Sequence, residues 1–468
     1  MTQPRRIVVL GSGIIGLCSA YEVLHLSSDA HVTLVEASPS HLIAGGASSY
    51  AGGFIACGAE WHDEPSRDLA RLSWQCHTEL ASKFDGANAY GWRECGAVGL
   101  SVGGHSESRS KYRSLPGAAD SAAQSQNRNW VEGDREELST EGGVAQIDPA
   151  DFCQHLYAHL RGAYGDRFGT VFGRATGIEA AAPSGGASGA ASVSRAVDSA
   201  RQKILRVSTG VDGQSESLPF DRLLIACGPW SAAVCDSLNL PPIPLTNLPG
   251  HSLLIRPATS TTHPVDVELP SEAVFAGIDG SVGGVHASTS GLARGLTDEE
   301  KREGYTRSPE LFVRRRRAGA DREWIYVAGE NSIPDTPLPT PTASGDAPPL
   351  PNRLPATVDA VRDLLDEQCI GRLKRAAGAV SPLLKEENGA RIERQQFCYR
   401  PISSDRQPML GPLRAPDIFI ATGHGPWGIC LSAGTGRVMA EYLLDRPLSA
   451  DVSGLGVERF NIEIKGKL

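Results

Sequence analysis

Short apolar runs and helix-period patterns alternate at the start of the chain. Ile7 to Leu10 and Val32 to Val35 read as buried parallel strands, and the run from Ile14 to about Ser27 between them has helical spacing. Together they predict one βαβ unit. Leu223 to Ala226 and Ile418 to Ala421 are two more short apolar strands, each running into a glycine-rich turn. Strands of this type therefore occur at both ends and in the middle, which predicts a discontinuous α/β domain. Gly250 to Arg256, Leu311 to Arg314 and Trp324 to Val327 predict strands of a second, α+β domain built on a mostly antiparallel sheet.

The boundaries that follow are 1–90, 145–250 and 392–468 for the first domain, and 91–144 and 251–391 for the second. The stretches 103–141, 183–200 and 334–351 are poor in large apolar residues and rich in Gly, Ser, Ala or Pro. Such composition buries too little apolar area to offset ordering entropy, so these are read as surface insertions or disordered loops. No internal repeat is evident.

Composition narrows the function classes. At 468 residues the chain is long enough for two domains and a buried cofactor. The hydrophobic fraction is 40%, the charged fraction 21%, and no stretch approaches the roughly 18 apolar residues of a membrane span. A net charge of -9 argues against a nucleic-acid partner. The basic run Arg314 to Arg317 has Glu310, Asp321 and Glu323 nearby and reads as a solvated loop or strand end. Ten cysteines show neither C-x-x-C pairs nor zinc spacing, so no metal or disulfide framework is expected and a reducing, cytoplasmic setting fits. Gly466-Lys467-Leu468 differs from the peroxisomal S-K-L address at its first position, which leaves that compartment a secondary expectation.

The strongest motif is Gly11-Ser12-Gly13-Ile14-Ile15-Gly16, directly after the first strand and opening a helix. In a dinucleotide fingerprint Gly11 makes the tight turn, Gly13 admits the pyrophosphate, and Gly16 lets helix and strand pack closely. The pyrophosphate then meets free N–H groups at the helix N-terminus. Glu36, followed by Ala37, ends the next strand, where a carboxylate binds ribose hydroxyls and disfavours a 2′-phosphate. A second small-residue loop follows, Gly45-Gly46-Ala47-Ser48-Ser49-Tyr50-Ala51-Gly52-Gly53, which a simple NAD domain does not require. Ser48, Ser49, Gly52 and Gly53 would let backbone approach a flavin ring, so FAD is the expected cofactor. Gly228 and Trp230 lie in the turn after the third strand; Gly423, Gly425, Trp427, Gly428 and Ile429 follow the fourth.

These blocks, with Ile147-Asp148-Pro149 and the stretch from Tyr399 to Leu444, resemble the FAD-dependent D-amino-acid oxidase, glycine oxidase and sarcosine oxidase family. The resemblance covers most of the chain outside the insertions. Pro309-Glu310-Leu311-Phe312 and Val327 to Asn331 look most like fungal members. The resemblance implies a Rossmann-type, glutathione-reductase-like FAD-binding domain beside the second domain.

It also implies a chemistry. Arg400, in Tyr399-Arg400-Pro401 ahead of Asp405, matches the arginine that pairs with a substrate carboxylate; a structural salt bridge, for instance to Asp405, is the alternative. Cys398 matches in spacing the cysteine that the sarcosine-oxidase branch bonds to flavin, yet the residues after it follow the non-covalent pattern, so a plain buried cysteine stays open. His424 is a candidate proton acceptor or a loop histidine fixed by hydrogen bonds. Trp230 and Trp427 are expected to pack rather than stack on the ring. The helical spacing of Ile429, Ala433, Gly436, Ala440 and Leu443 is expected to aim a helix N-terminus at the flavin.

The expected reaction is hydride transfer from the carbon of an amine or amino acid to flavin N5, with O2 or another acceptor reoxidising the flavin. Two alternatives stay open: a flavin dehydrogenase on a different small substrate, and a flavin-binding protein with an interaction or trafficking role.

Overall fold

The computed structural model describes residues 5–103, 130–139, 143–180, 203–210, 214–258, 269–278, 308–314, 323–331, 354–414 and 416–462. Arg315 to Arg317, Gly466 to Leu468 and the stretches 183–200 and 334–351 lie outside them.

Five strands form the parallel part of the first sheet, in the order Ile418–Thr422, Arg222–Ile225, Arg6–Leu10, His31–Glu36 and Phe168–Phe172. Met409–Arg414 closes one edge antiparallel. The apolar runs are buried on both faces, which is why they carry no alternation. The helices Ile14–Leu26, Arg67–Lys83, Pro149–Ala163 and Ser432–Leu443 cover one face through a core that includes Leu17, Leu69, Phe152 and Val438. On the other face lie the helix Ser231–Ser237 and a small antiparallel sheet of Arg174–Ala180, Lys203–Ser208 and Ser215–Phe220.

The second sheet has seven strands, in the order Arg391–Ser403, Leu245–Arg256, Trp324–Glu330, Glu310–Arg314, Glu272–Ile278, Gly96–Val102 and Asp134–Ser139. Every neighbouring pair is antiparallel except Glu272–Ile278 with Gly96–Val102. Alternation sorts its residues: Leu253, Leu311, Val313, Ile325 and Val327 pack under the helix Glu367–Val380, while Phe275, Phe312 and Tyr326 occupy the opposite face. That helix starts at Asp366, whose carboxylate accepts from the N–H groups of Gln368 and Cys369.

Two features differ from the sequence reading. The stretch 103–141 is not a surface insertion throughout, because Trp130 and Val131 are buried and Asp134–Ser139 pairs with Gly96–Val102. Glu136 and Glu137 mask that strand, and the small-residue stretch before it dominates any local average. The two longest strands also cross the boundaries at 250/251 and 391/392, pairing from Leu245 with Ser403 to Arg256 with Arg391.

All ten cysteines are free thiols. Among the described residues, no helix is long and apolar enough to cross a membrane.

Candidate functional site

A cleft enclosing about 2110 Å³ of empty space, part of it open to solvent, runs from the C-terminal ends of the parallel strands to the inner face of the second sheet. The crevice beyond the C-terminal ends of parallel strands is where doubly wound sheets bind ligands.

At one end Gly11 holds φ of 98°, and a Cβ there would stand 2.5 Å from the Ala226 carbonyl oxygen. Gly16 sits behind it, where a Cβ would be 2.0 Å from the Gly11 oxygen, so helix Ile14–Leu26 can approach the strand only without a side chain. That helix begins at Gly13 with no side-chain cap, and Ile14 N–H donates to Ser48 Oγ at 3.0 Å. Glu36 accepts from Ser12 N–H at 2.9 Å, Ser12 Oγ at 2.6 Å and Ser38 N–H at 3.0 Å, which fixes its carboxylate at the strand end.

Residues 354–364 cross this end of the cleft. Asp359 accepts from the Ser38 hydroxyl at 2.9 Å and from Ser40. Arg174 donates to the Ala356 oxygen, and Trp230 Nε1 to the Pro355 oxygen at 2.9 Å. Trp230 is thereby held as a packing residue, against the cluster of Val361, Leu364, Phe397 and Tyr399.

At the other end Cys398 and Arg400 share one face of their strand. Arg400 is half-buried, donates to Pro249 O at 3.4 Å and to Asn331 Oδ1, and has no carboxylate partner among the described residues. Asp405 pairs instead with Arg459 at 2.6 Å. The Cys398 thiol is buried and its pKa is raised by desolvation, an effect that nearby Arg400 opposes. His424 is 3% exposed, its Nε2 lies 3.1 Å from Thr435 Oγ1, and burial lowers its pKa to about 3. It is a neutral, fixed imidazole at ordinary pH. Trp427 packs on His62 at 4.6 Å between ring centroids.

The cleft brings together Gly11, Gly13, Ile14, Ile15, Glu36, Ala37, Ser48, Gly52, Gly53, Gly228, Trp230, Cys398, Arg400, His424, Gly425, Trp427, Gly428 and Ile429. Gly16, Ser49 and Gly423 stand outside its lining. Gly16 serves packing. Of Ser48 and Ser49, both on the one-turn helix Ala47–Tyr50, Ser48 lines the cleft. Gly423 has φ of 79° and lies against Ser403 and Met409. The C-terminal helix starts at Ser432, so the 3-10 turn Gly425–Trp427, with Gly428 and Ile429, faces the cleft in its place.

Sequence reasoning missed Arg174, Val358, Gly250, His251, Phe275, Glu310, Phe312 and Tyr326, which also line the cleft. The distinctive block Pro309 to Phe312 was the available signal for two of them. Nothing marked Val358.

The residues present fit an FAD. An uncapped helix N-terminus suits the pyrophosphate, Glu36 the ribose hydroxyls, and backbone at Gly52, Gly53, Gly425 and Gly428 a flat ring. Arg400 lines the cleft, and its buried Nε has no hydrogen-bond partner among the described residues.

The sequence model of the family described as FAD dependent oxidoreductase matches residues 6–442. An inferred oxidoreductase of Schizosaccharomyces pombe is 24% identical over 451 residues, 95% of each chain. An inferred oxidoreductase of Saccharomyces cerevisiae, TDA3, is 22% identical, over 96% of this chain and 94% of its own. A D-amino acid dehydrogenase of Sinorhizobium medicae is 39% identical, over 61 residues that make up 13% of this chain and 15% of its own. Among solved structures, glycine oxidase from Geobacillus kaustophilus superposes with a TM-score of 0.60 at 16% identity, over 97% of this chain and 99% of its own. L-proline dehydrogenase from P. horikoshii gives 0.61 at 11%, over 98% and 99%. These likenesses bear on the fold.

Proposed function

The chain belongs to the FAD-dependent oxidoreductase family, and from that premise we propose that it oxidises the CH–NH bond of an amine carrying a carboxylate, anchored by Arg400. The observation that carries the proposal is a half-buried guanidinium lining the cleft with no carboxylate partner among the described residues. A guanidinium fork matches a carboxylate with two parallel hydrogen bonds.

FAD, when bound, would supply the acceptor for a hydride from the substrate carbon, which leaves the substrate as an imine for water to hydrolyse, and dioxygen would then take up the two electrons with two protons as hydrogen peroxide. The chain positions and shields. Ile14, Ser48 and Glu36 would hold the dinucleotide, and the turn Gly425–Ile429 would lie along the flavin. Phe275, Phe312, Tyr326 and Trp427 line the reaction end with apolar surface and exclude water from it. His424, neutral and bonded to Thr435, holds its loop rather than collecting a proton. The ten free cysteines support a reducing compartment, the cytoplasm in this reading.

Anaerobic mixing with glycine, sarcosine, D-amino acids, L-proline and simple amines, read by bleaching of the flavin, tests the proposal. Carboxylate-bearing amines are expected to bleach wild type, and Arg400→Ala to lose most of that binding; an unchanged rate overturns the assignment. The local likeness to a D-amino acid dehydrogenase supports an acceptor other than dioxygen as the second reading. Oxygen uptake compared with dye reduction separates the two.

A further inference from the structure

The segment 354–364 comes just before helix Glu367–Val380, which packs on the second sheet, yet its hydrogen bonds reach the cofactor end of the first. Ser38 is the closest tie. It is buried, and its hydroxyl accepts from Leu42 N–H at 3.0 Å and donates to Asp359 at 2.9 Å, while its own N–H donates to the Glu36 carboxylate at 3.0 Å. One serine thus joins this strap to the carboxylate that suits the ribose hydroxyls. Ser40 gives Asp359 a second donor.

The other anchors spread across the sheet. Gly173 N–H donates to the Glu36 backbone oxygen at 2.8 Å, which sets Arg174 beside the ribose end, and Arg174 reaches over to the Ala356 oxygen at 2.5 Å. Trp230 Nε1 holds the Pro355 oxygen. Arg174, Ser38 and Trp230 follow three different parallel strands, Phe168–Phe172, His31–Glu36 and Arg222–Ile225, which bracket Arg6–Leu10 and its fingerprint turn. The strap therefore crosses above the turn that suits the pyrophosphate.

Between these anchors Val358 lines the cleft, as do Ala175 and Val234. Val358 packs over the small-residue loop: a Cβ at Gly45 would stand 3.5 Å from its Cγ1, and one at Gly46 3.8 Å from its Cγ2. With the flavin along the turn Gly425–Ile429 and the ribose at Glu36, the adenine is the part of FAD that falls to this end. Its flat faces are suited to aliphatic surface.

We propose that residues 355–359 are part of the cofactor site: Val358 covers the adenine, and Asp359, acting through Ser38, positions Glu36 against the ribose. The adenosine half is then enclosed between the first sheet and the strap, and FAD leaves only when the strap lets go. The inference does not depend on what Arg400 binds.

Release of FAD from the diluted holoenzyme, followed by recovery of flavin fluorescence, tests it. Asp359→Ala is expected to release FAD at least about tenfold faster, the worth of one hydrogen bond to a charged group. Asp359→Asn keeps an acceptor for Ser38 and is expected to fall between. Val358→Asp leaves the Ser38 contact in place but sets a charge against the base, and is expected to match Asp359→Ala. FMN lacks the adenosine. Titrated into the flavin-free full chain, it is expected to bind wild type and all three variants alike, and the visible spectrum of FAD still bound to the variants is expected to be that of wild type. Wild-type release rates in both Asp359→Ala and Val358→Asp overturn the inference. So does a weakening that FMN shares, or an altered flavin spectrum, since either means that the strap supports the whole cleft rather than the adenosine half.

Discussion

The guanidinium of Arg400 rests on the backbone of Gly250: a Cβ at residue 250 would stand 2.4 Å from Nη2 and 3.1 Å from Cζ. The absence of a side chain on one strand therefore sets where the charge of its neighbour sits. Gly250→Ala is expected to push the guanidinium off its site. Binding of a carboxylate-bearing amine should weaken about 10- to 100-fold, the worth of a charged hydrogen bond, while flavin content holds. Titration of flavin reduction against substrate concentration measures it.

Gly11 has φ of 98°, and the Ala226 carbonyl oxygen stands 2.5 Å from any Cβ there. Gly11→Ala is expected to cost about 1–3 kcal/mol of backbone strain and to empty the protein of FAD. Flavin-to-protein absorbance ratio and urea denaturation report the two effects.

Arg314 ties the second sheet to the small-residue loop of residues 45–53. It pairs with Asp148, donates to the Ala51 oxygen at 2.6 Å, and only 6% of its side chain is exposed. Asp148 in turn caps helix Pro149–Ala163. Arg314→Met removes the cation while the half-buried Asp148 carboxylate keeps its helix-capping hydrogen bonds, and a loss of about 1–3 kcal/mol is expected in urea denaturation.

Four buried histidines set the acid limit. Burial lowers the pKa of His62, His77 and His251 to about 4 and of His424 to about 3. Their unfolded value is about 6.5. Between these values the unfolded chain binds more protons than the folded one, so stability falls as pH drops from about 6.5 toward 4 and is full above 6.5. The urea midpoint should drop steeply between pH 7 and pH 5, and His424→Asn should flatten that slope.

Burial raises the pKa of the Cys398 thiol, which disfavours the nucleophilic thiolate a covalent flavin link requires. Acid precipitation is expected to release all the yellow colour. Colour retained by the pellet and abolished by Cys398→Ser would establish the link instead.

The cofactor end was legible because its chemistry is local. Gly11, Gly13, Gly16 and Glu36 stand in one βαβ unit, where spacing alone dictates who meets the dinucleotide. The reaction end was legible only through Arg400, His424 and the turns after the strands. Phe275, Glu310, Phe312, Tyr326 and Gly250 come from four strands that meet by long-range pairing, and no periodicity within any one strand announces its neighbours. Asp134–Ser139 was hidden because its acidic residues look like a loop until Gly96–Val102 supplies a partner. Val358 lines the cleft only because Asp359 and its neighbours are tied to Ser38, Arg174 and Trp230, contacts that span up to 321 positions of sequence.

The parallel sheet inserts Arg222–Ile225 between Arg6–Leu10 and Ile418–Thr422, and its floor beneath the cleft is complete only when the last of these arrives. On the ribosome this sets an order of events. The fingerprint loop emerges early and waits through some four hundred residues of synthesis before the turn after Thr422 can join it. A nascent chain therefore cannot close this pocket until Thr422 and the turn after it have been made.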